Sequence, residues 1–183
     1  MGAFVADTPM LRQYVSIKEQ HQDAILFFRL GDFYEMFLED AKNASKELGL
    51  TLTGRGKQDK RIPMCGIPYH AADQYIFKLI NKGYKVAICE QVEDPTDGKG
   101  ITKREVVKVI TPGTALNHQV VDEKENNYLV AIMLLPKEQG YGASCVDYST
   151  GEFKLFSVQT LTELQAQLER LQPKEIILDD ALD

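Results

Sequence analysis

In the stretch FRLGDFYEMF (28–37), an aromatic ring, Phe33, and a carboxylate, Glu35, stand two residues apart beside a glycine–aspartate pair. Two accounts fit these residue types. In the first they open a helix: Asp32 is the N-cap, Glu35 is its capping-box partner three residues on, and Phe33 lies on an apolar helical face. In the second they meet a common ligand. On a helix the two side chains point about 200° apart. They reach one ligand only past the helix end, or if residues 31–35 are extended, where side chains at i and i+2 share a face. A ring so presented can wedge between base steps of a duplex, where unstacking costs about a few kcal/mol per step. The neighbouring carboxylate is repelled by phosphates unless a base edge offers it a hydrogen bond. Such a pair suits a protein that tests a duplex for weak steps more than one that grips it.

Other chemistries fit less well. Gly49 and Gly54 have P-loop spacing, but Arg55 and Gly56 stand where Lys and Ser/Thr belong, so nucleotide hydrolysis is not expected. There is no GxSxG stretch. Cys65, His70 and Cys89 match no zinc spacing, and buried thiols with a helix-cap histidine account for them. The three cysteines form no CxxC pair and read as reduced thiols of a cytoplasmic protein. The start MGAFVADTPM lacks the basic and apolar regions of a signal peptide. Apolar runs such as YLVAIMLLP are too short to span a bilayer.

The elements that must position Phe33 and Glu35 follow from periodicity and punctuation. Thr8 caps a first helix, with Pro9 at its first position. AILFFRL (24–30) reads as a buried strand. From Phe33, the residues Met36, Phe37, Ala41, Ala44 and Leu48 recur at helical spacing, and Gly49 stops the run. LTLT (50–53) is a short strand, GRGKQDKR (54–61) a basic loop, and IPMCGIPYH an extended segment. A second amphipathic helix covers 71–83, and strands cover 84–92 and 104–114. This alternation predicts an α/β fold, a mixed sheet with packed helices. Beyond a polar stretch without periodicity, the pattern changes. Three β-like runs (NYLVAIMLLP, GYGASCVDYS, GEFKLFSV) form a meander, followed by a helix at 160–172 and a last buried strand, KEIILDD. A chain that stops there reads as a truncated second domain.

Net charge is −6, but it is unevenly spread. Residues 1–53 carry 5 Lys/Arg against 8 Asp/Glu, residues 54–108 carry 11 against 7, and residues 109–183 carry 5 against 12. A basic middle can form a phosphate-binding surface even in an acidic chain, although on charge alone a solvated face is the better account.

Five blocks in order, TPMLRQY, FFRLGDFYEMFLEDA, IPMCGIPYHAAD, GYKVAICEQVEDP and KREVVKVITPGT, closely resemble the N-terminal region of the MutS family of bacterial DNA mismatch repair proteins. They cover nearly all of residues 8–116. NYLVAI, GYGASCVDYSTGEF and PKEIIL resemble, less sharply, the start of that family's connector domain. The resemblance implies a mismatch-recognition domain at 1–115, a linker at 116–126, and the N-terminal part of an RNase H-like α/β connector at 127–183.

It further implies a binding module, not an enzyme, for mispaired or unpaired bases and small loops in double-stranded DNA. The family's Phe-x-Glu motif falls on Phe33 and Glu35. By that analogy Phe33 stacks on the target base from the minor groove, Glu35 hydrogen-bonds it, and the DNA kinks. One subunit of the family's dimer inserts the motif. Arg55 and Arg104 match positions associated with backbone contacts. Lys57, Lys60, Arg61, Lys99 and Lys103 are phosphate neighbours on charge alone. The family's ATPase, clamp and dimerisation regions lie beyond residue 183. ATP and Mg, homodimerisation and binding of MutL are therefore expected of the full-length protein, with no cofactor, metal or membrane contact expected here. The rival reading is a protein-interaction fragment, in which the connector portion binds a repair partner and DNA contact is incidental.

Overall fold

A computed structural model describes residues 8–56, 61–92, 102–115, 126–135 and 140–182. The chain divides into two compact units, Met1–Ile110 and Thr111–Asp183. The segment expected as a linker lies outside the described residues except for Asn126.

The first unit opens with helix α1 (Pro9–Gln20), whose N-cap Thr8 accepts the Leu11 N–H as its sequence predicts. Strand β1 (Ala24–Leu30) follows. The chain then turns back at Gly31 and Asp32 into β2 (Phe33–Phe37), pairing Leu30 with Phe33 and Phe28 with Glu35. This two-residue turn needs a positive φ at its first central position, and Gly31 supplies it at +58°.

The helix expected from Phe33 therefore begins five residues later, as α2 (Leu38–Leu48). FYEMF is rich in residues that suit a pleated surface, and a hairpin pairs them on both edges. Asp32 caps no helix: the N-cap of α2 is Phe37, without a side-chain cap bond. The helix does stop at Gly49, in the left-handed conformation (φ 69°).

Strand β3 (Thr53–Arg55) is shorter and lies later than the strand expected at 50–53. Strand β4 (Ile62–Pro68), a 3-10 turn at Tyr69–Ala71, helix α3 (Ala72–Ile80), β5 (Lys85–Gln91) and β6 (Arg104–Ile110) complete the unit. The strand order is β3-β4-β2-β1-β5-β6, with β1 and β5 parallel and every other pair antiparallel.

Alternation divides the side chains of this sheet between two faces. On one, Leu11 and Tyr14 of α1 pack on Ala24, Leu26, Phe28, Phe37, Ala87 and Cys89. On the other, buried Ile25, Phe27, Met36, Cys65, Ile67 and Val86 alternate with them, and the Cys65 thiol donates to the Ala41 carbonyl of α2 at 3.4 Å.

The second unit is the meander β7 (Tyr128–Leu135), β8 (Gly140–Asp147) and β9 (Glu152–Val158), then α4 (Leu161–Leu171) and β10 (Glu175–Leu178). Its order is β10-β7-β8-β9, with β10 parallel to β7 and the other pairs antiparallel, the α/β arrangement of sheet and helix expected for this part of the chain. Helix α4 begins with a full capping box between Thr160 and Glu163. Its residues Leu164 and Leu171 cover Tyr128, Val130, Ile132, Ala143 and Cys145. The last strand is not buried as its sequence suggests: Ile176, Ile177 and Leu178 sit at a sheet edge and are all exposed.

Candidate nucleic-acid interface

Phe33 and Glu35 share one face because β2 is extended through both. Cross-strand register extends that face. Phe33 is opposite Pro68, Glu35 opposite Gly66, and Phe37 opposite Met64. On the next strand Met64 is opposite Thr53, and Ile62 opposite Arg55. The β2-β4-β3 edge of the sheet thus presents Phe33, Pro68, Glu35, Gly66, Met64 and Arg55 in succession on one side.

Phe33 stands at the hairpin end with 46% of its surface exposed. Glu35 is half-buried, and its Oε2 is buried with no hydrogen-bond partner among the described residues. Burial raises the Glu35 carboxyl above its ordinary value, against a smaller opposing pull from the Arg55 guanidinium. An exposed ring and a carboxyl oxygen lacking a donor are therefore held side by side on a rigid strand.

A cluster that the sequence did not flag braces this hairpin from the opposite face. The Arg29 guanidinium lies 3.7 Å from the centroid of the Tyr69 ring, and its Nε donates to the Gly31 carbonyl at 2.5 Å. Arg29 also pairs with Glu90 at 3.7 Å, and the Tyr34 hydroxyl donates to Glu90. Burial, then the Glu90 contact, pushes the Tyr34 hydroxyl up to about 12. The Tyr69 N–H donates to the Asp32 carbonyl at 3.0 Å. These contacts fix both turn residues preceding Phe33. Their readable signal is the strand alternation that puts Arg29 and Tyr34 on one face, which becomes visible only once the hairpin is recognised.

Of the expected basic contacts other than Arg104 that lie among the described residues, Arg55 and Arg61 are at the β3 edge of the sheet and Lys103 is at the β6 edge. Arg55 is exposed on the Glu35 face at one edge of the sheet. Arg61 is exposed, and its stem runs along Gly54, where a Cβ would meet the Arg61 Cγ at 2.9 Å. Lys103 is exposed at the other edge and paired with Glu105 at 2.5 Å. Lys57, Lys60 and Lys99 lie outside the described residues.

Arg104 departs from its expected role as a backbone contact. It is only 7% exposed. Its Nε donates to the Arg29 carbonyl at 2.6 Å, and one terminal nitrogen donates to Gln13 Oε1 at 3.0 Å and to the Thr102 carbonyl at 2.9 Å. The guanidinium lies 5.0 Å from the centroid of the Phe28 ring. Its donors bind α1 and β1 to β6, which leaves little of the side chain for a phosphate. Arg104→Ala is expected to cost about 1–3 kcal/mol of stability, because three half-buried acceptors lose their donor. Urea unfolding measures this, and a loss below about 0.5 kcal/mol would show that the network contributes little.

The same geometry bears on the other chemistries. Gly49 ends a helix and Gly54 lies within β3, and among the described residues no helix N-terminus follows them before β4. Cys65 and Cys89 are buried thiols raised to about 11 and about 12, mainly by burial. Among the described residues no three His, Cys, Asp or Glu side chains converge as a metal site, and no helix is long and apolar enough to cross a membrane.

Residues 8–119 match the family model of MutS domain I, and residues 127–183 that of MutS domain II. The chain is 54% identical over 171 residues to the DNA mismatch repair protein MutS of Halalkalibacterium halodurans, covering 93% of this chain and 20% of that protein. It is 57% identical over 172 residues to the protein of the same name from Pelotomaculum thermopropionicum, covering 92% of this chain and 20% of the relative. With that of Shouchella clausii it shares 63% identity over 145 residues, 79% of this chain and 16% of the relative. The chain spans a fifth or less of the length of these relatives, and by the matches to both domains it belongs to the MutS family.

Proposed function

We propose that this chain is the mismatch-sensing part of a DNA repair protein, binding mispaired or unpaired bases in duplex DNA without catalysis of its own. One observation carries the reading: the Phe33 ring is exposed at the hairpin end with the Glu35 carboxyl on the same face. Phe33 enters the minor groove and stacks on the target base. Glu35 meets a donor on that base through its half-buried carboxyl, whose Oε2 has no partner among the described residues. Arg55, and Arg61 nearby in the chain, contribute phosphate contacts. A paired, well-stacked step resists the wedge and a weak step yields, which makes the difference in unstacking energy the source of selectivity. In the longer protein, two copies pair, ATP and Mg act in a separate region, and MutL is the downstream partner.

Phe33→Ala in the full-length protein tests this directly. It is expected to remove roughly 1–3 kcal/mol of affinity for a mismatched duplex, to affect matched DNA much less, and to leave stability nearly unchanged because the ring is exposed. Fluorescence titration and thermal melting provide both readouts. A loss of several kcal/mol in stability with mismatch preference intact would assign Phe33 to the core instead.

The rival reading, a protein-docking unit, draws support from exposed apolar residues of the second sheet, Met133, Phe153 and Leu155, the last 73% exposed. Changing these residues to polar ones separates the two readings: mismatch affinity is expected to survive, and partner binding is expected to fall.

A further inference from the structure

Gly66 sits in β4 directly opposite Glu35. Its backbone does not need glycine, since it is not among the residues with positive φ. Glycine inside a strand weakens it and often marks the close approach of another group. Here that group is the Glu35 carboxyl. A Cβ on Gly66 would stand 2.6 Å from Glu35 Oε2, 2.8 Å from Cδ and 2.9 Å from Oε1. The carboxyl therefore lies across the β4 backbone, in the space that a side chain at position 66 would fill. Met64 and Pro68 flank this gap on the same face and carry half-buried side chains. The slot they bound is one residue wide, and in it Oε2 is buried without a partner among the described residues.

We infer that Gly66 is a positioning residue for discrimination: the side chain it lacks opens the slot that aims the Glu35 carboxyl beside Phe33, and any larger residue there re-aims it. This rests on the reading of Glu35 as a base contact given above. The obstructing atoms belong to the far end of a flexible side chain, so Gly66→Ala displaces the carboxyl toward water and leaves the strand in place. Substitution at position 66 thus alters recognition through Glu35, without Gly66 touching a base.

Two measurements test the inference. The first needs no DNA: carbon-detected NMR titration of the Glu35 carboxyl in this chain, with and without Gly66→Ala. The variant is expected to titrate at lower pH, as its carboxyl leaves the slot and regains hydration. An unchanged titration overturns the inference.

The second is a cycle in the full-length protein comparing wild type, Gly66→Ala, Glu35→Ala and the double variant for the ratio of mismatched to matched affinity. Gly66→Ala is expected to lower the ratio by about tenfold or more, the worth of a charge-assisted hydrogen bond, and to lower it no further when Glu35 is already alanine. An equal loss in both backgrounds overturns the inference, because the effect then bypasses Glu35. A ratio lowered by Glu35→Ala but untouched by Gly66→Ala overturns the positioning role alone. A ratio untouched by Glu35→Ala removes the base-contact reading and the inference with it. Should Gly66→Ala fail to fold, the double variant, which lacks the obstructing carboxyl, is expected to fold. Its failure would mean that Gly66 makes room for something other than Glu35.

Discussion

Asp40→Ala is expected to remove about 2–4 kcal/mol of stability from the first unit, with Asp40→Asn losing roughly half as much. Asp40 is only 4% exposed and lies in the first turn of α2. Its Oδ2 accepts the Tyr14 hydroxyl at 2.9 Å and the Leu26 N–H at 3.0 Å, and Oδ1 meets Lys18 Nζ at 2.9 Å. Pairing between β1 and β2 begins only at Phe28, so no β2 residue faces the Leu26 N–H. Asp40 takes the place of a missing strand partner and joins α1, β1 and α2 at one carboxylate. Alanine leaves the fully buried Leu26 amide without an acceptor, whereas Lys18 can still reach the Ala24 carbonyl at 2.5 Å. Urea unfolding of the three proteins measures the loss, and a cost for Ala below about 1 kcal/mol would refute the assignment.

The same network makes stability depend on alkaline pH. Burial first, then the charge and hydrogen bond of Asp40, raise the Tyr14 hydroxyl well above its ordinary 10.0. Above pH 10 the unfolded chain releases that proton and the folded one keeps it. Tyr14's contribution is therefore complete below pH 10 and is lost as pH climbs beyond it.

Signals that act within one turn of chain were legible in the sequence. Thr8 with Pro9, and Gly49, each mark a helix end where the structure has one. The mixed α/β class followed from alternation of elements. Positions of side chains across strands were not legible. Phe33, Met36 and Phe37 satisfy both a helical period and a strand with one face half open, and only the Gly31 turn decides between them. That turn was available to sequence reasoning. Extended residues at 31–35 were one of the two geometries in which Phe33 and Glu35 can share a ligand; the structure has a turn at Gly31 and Asp32 and is extended from Phe33 on, which still places the two side chains on one face. Arg104 shows a second limit: charge does not reveal whether a guanidinium faces solvent or closes a gap between a helix and two strands. Ile176, Ile177 and Leu178 show a third, since an apolar run reports what a strand can bury and does not supply the layer that would cover it.

Glu35→Gln is expected to shift both recognition and stability, in directions that a helix-cap role would not produce. Burial raises the Glu35 carboxyl, with Arg55 opposing less strongly. An acid raised in the folded state leaves the fold most stable below the ordinary 4.5 and progressively less so as pH rises through the folded value. At neutral pH the wild-type chain thus bears the cost of a half-buried charge, and Gln, nearly isosteric, removes it. The variant should melt higher than wild type at pH 7, and the gap should close near pH 4. On DNA the carboxylate opposes any duplex whose phosphates cannot move away, a repulsion of about 1 kcal/mol per close charge pair in water and more where water is excluded. Removing it should tighten binding of matched DNA by roughly fivefold at low salt and by less at moderate salt, where screening already weakens the repulsion. Mismatched DNA gains less, because Gln accepts a hydrogen bond without the charge that strengthens it. The ratio of mismatched to matched affinity therefore falls, because the matched duplex gains more. Titration of the full-length variant against a matched duplex at two salt concentrations is the deciding measurement. Unchanged or weaker binding at both would show that the Glu35 charge does not discriminate, and a lower melting point at pH 7 would show that its burial is compensated within the slot.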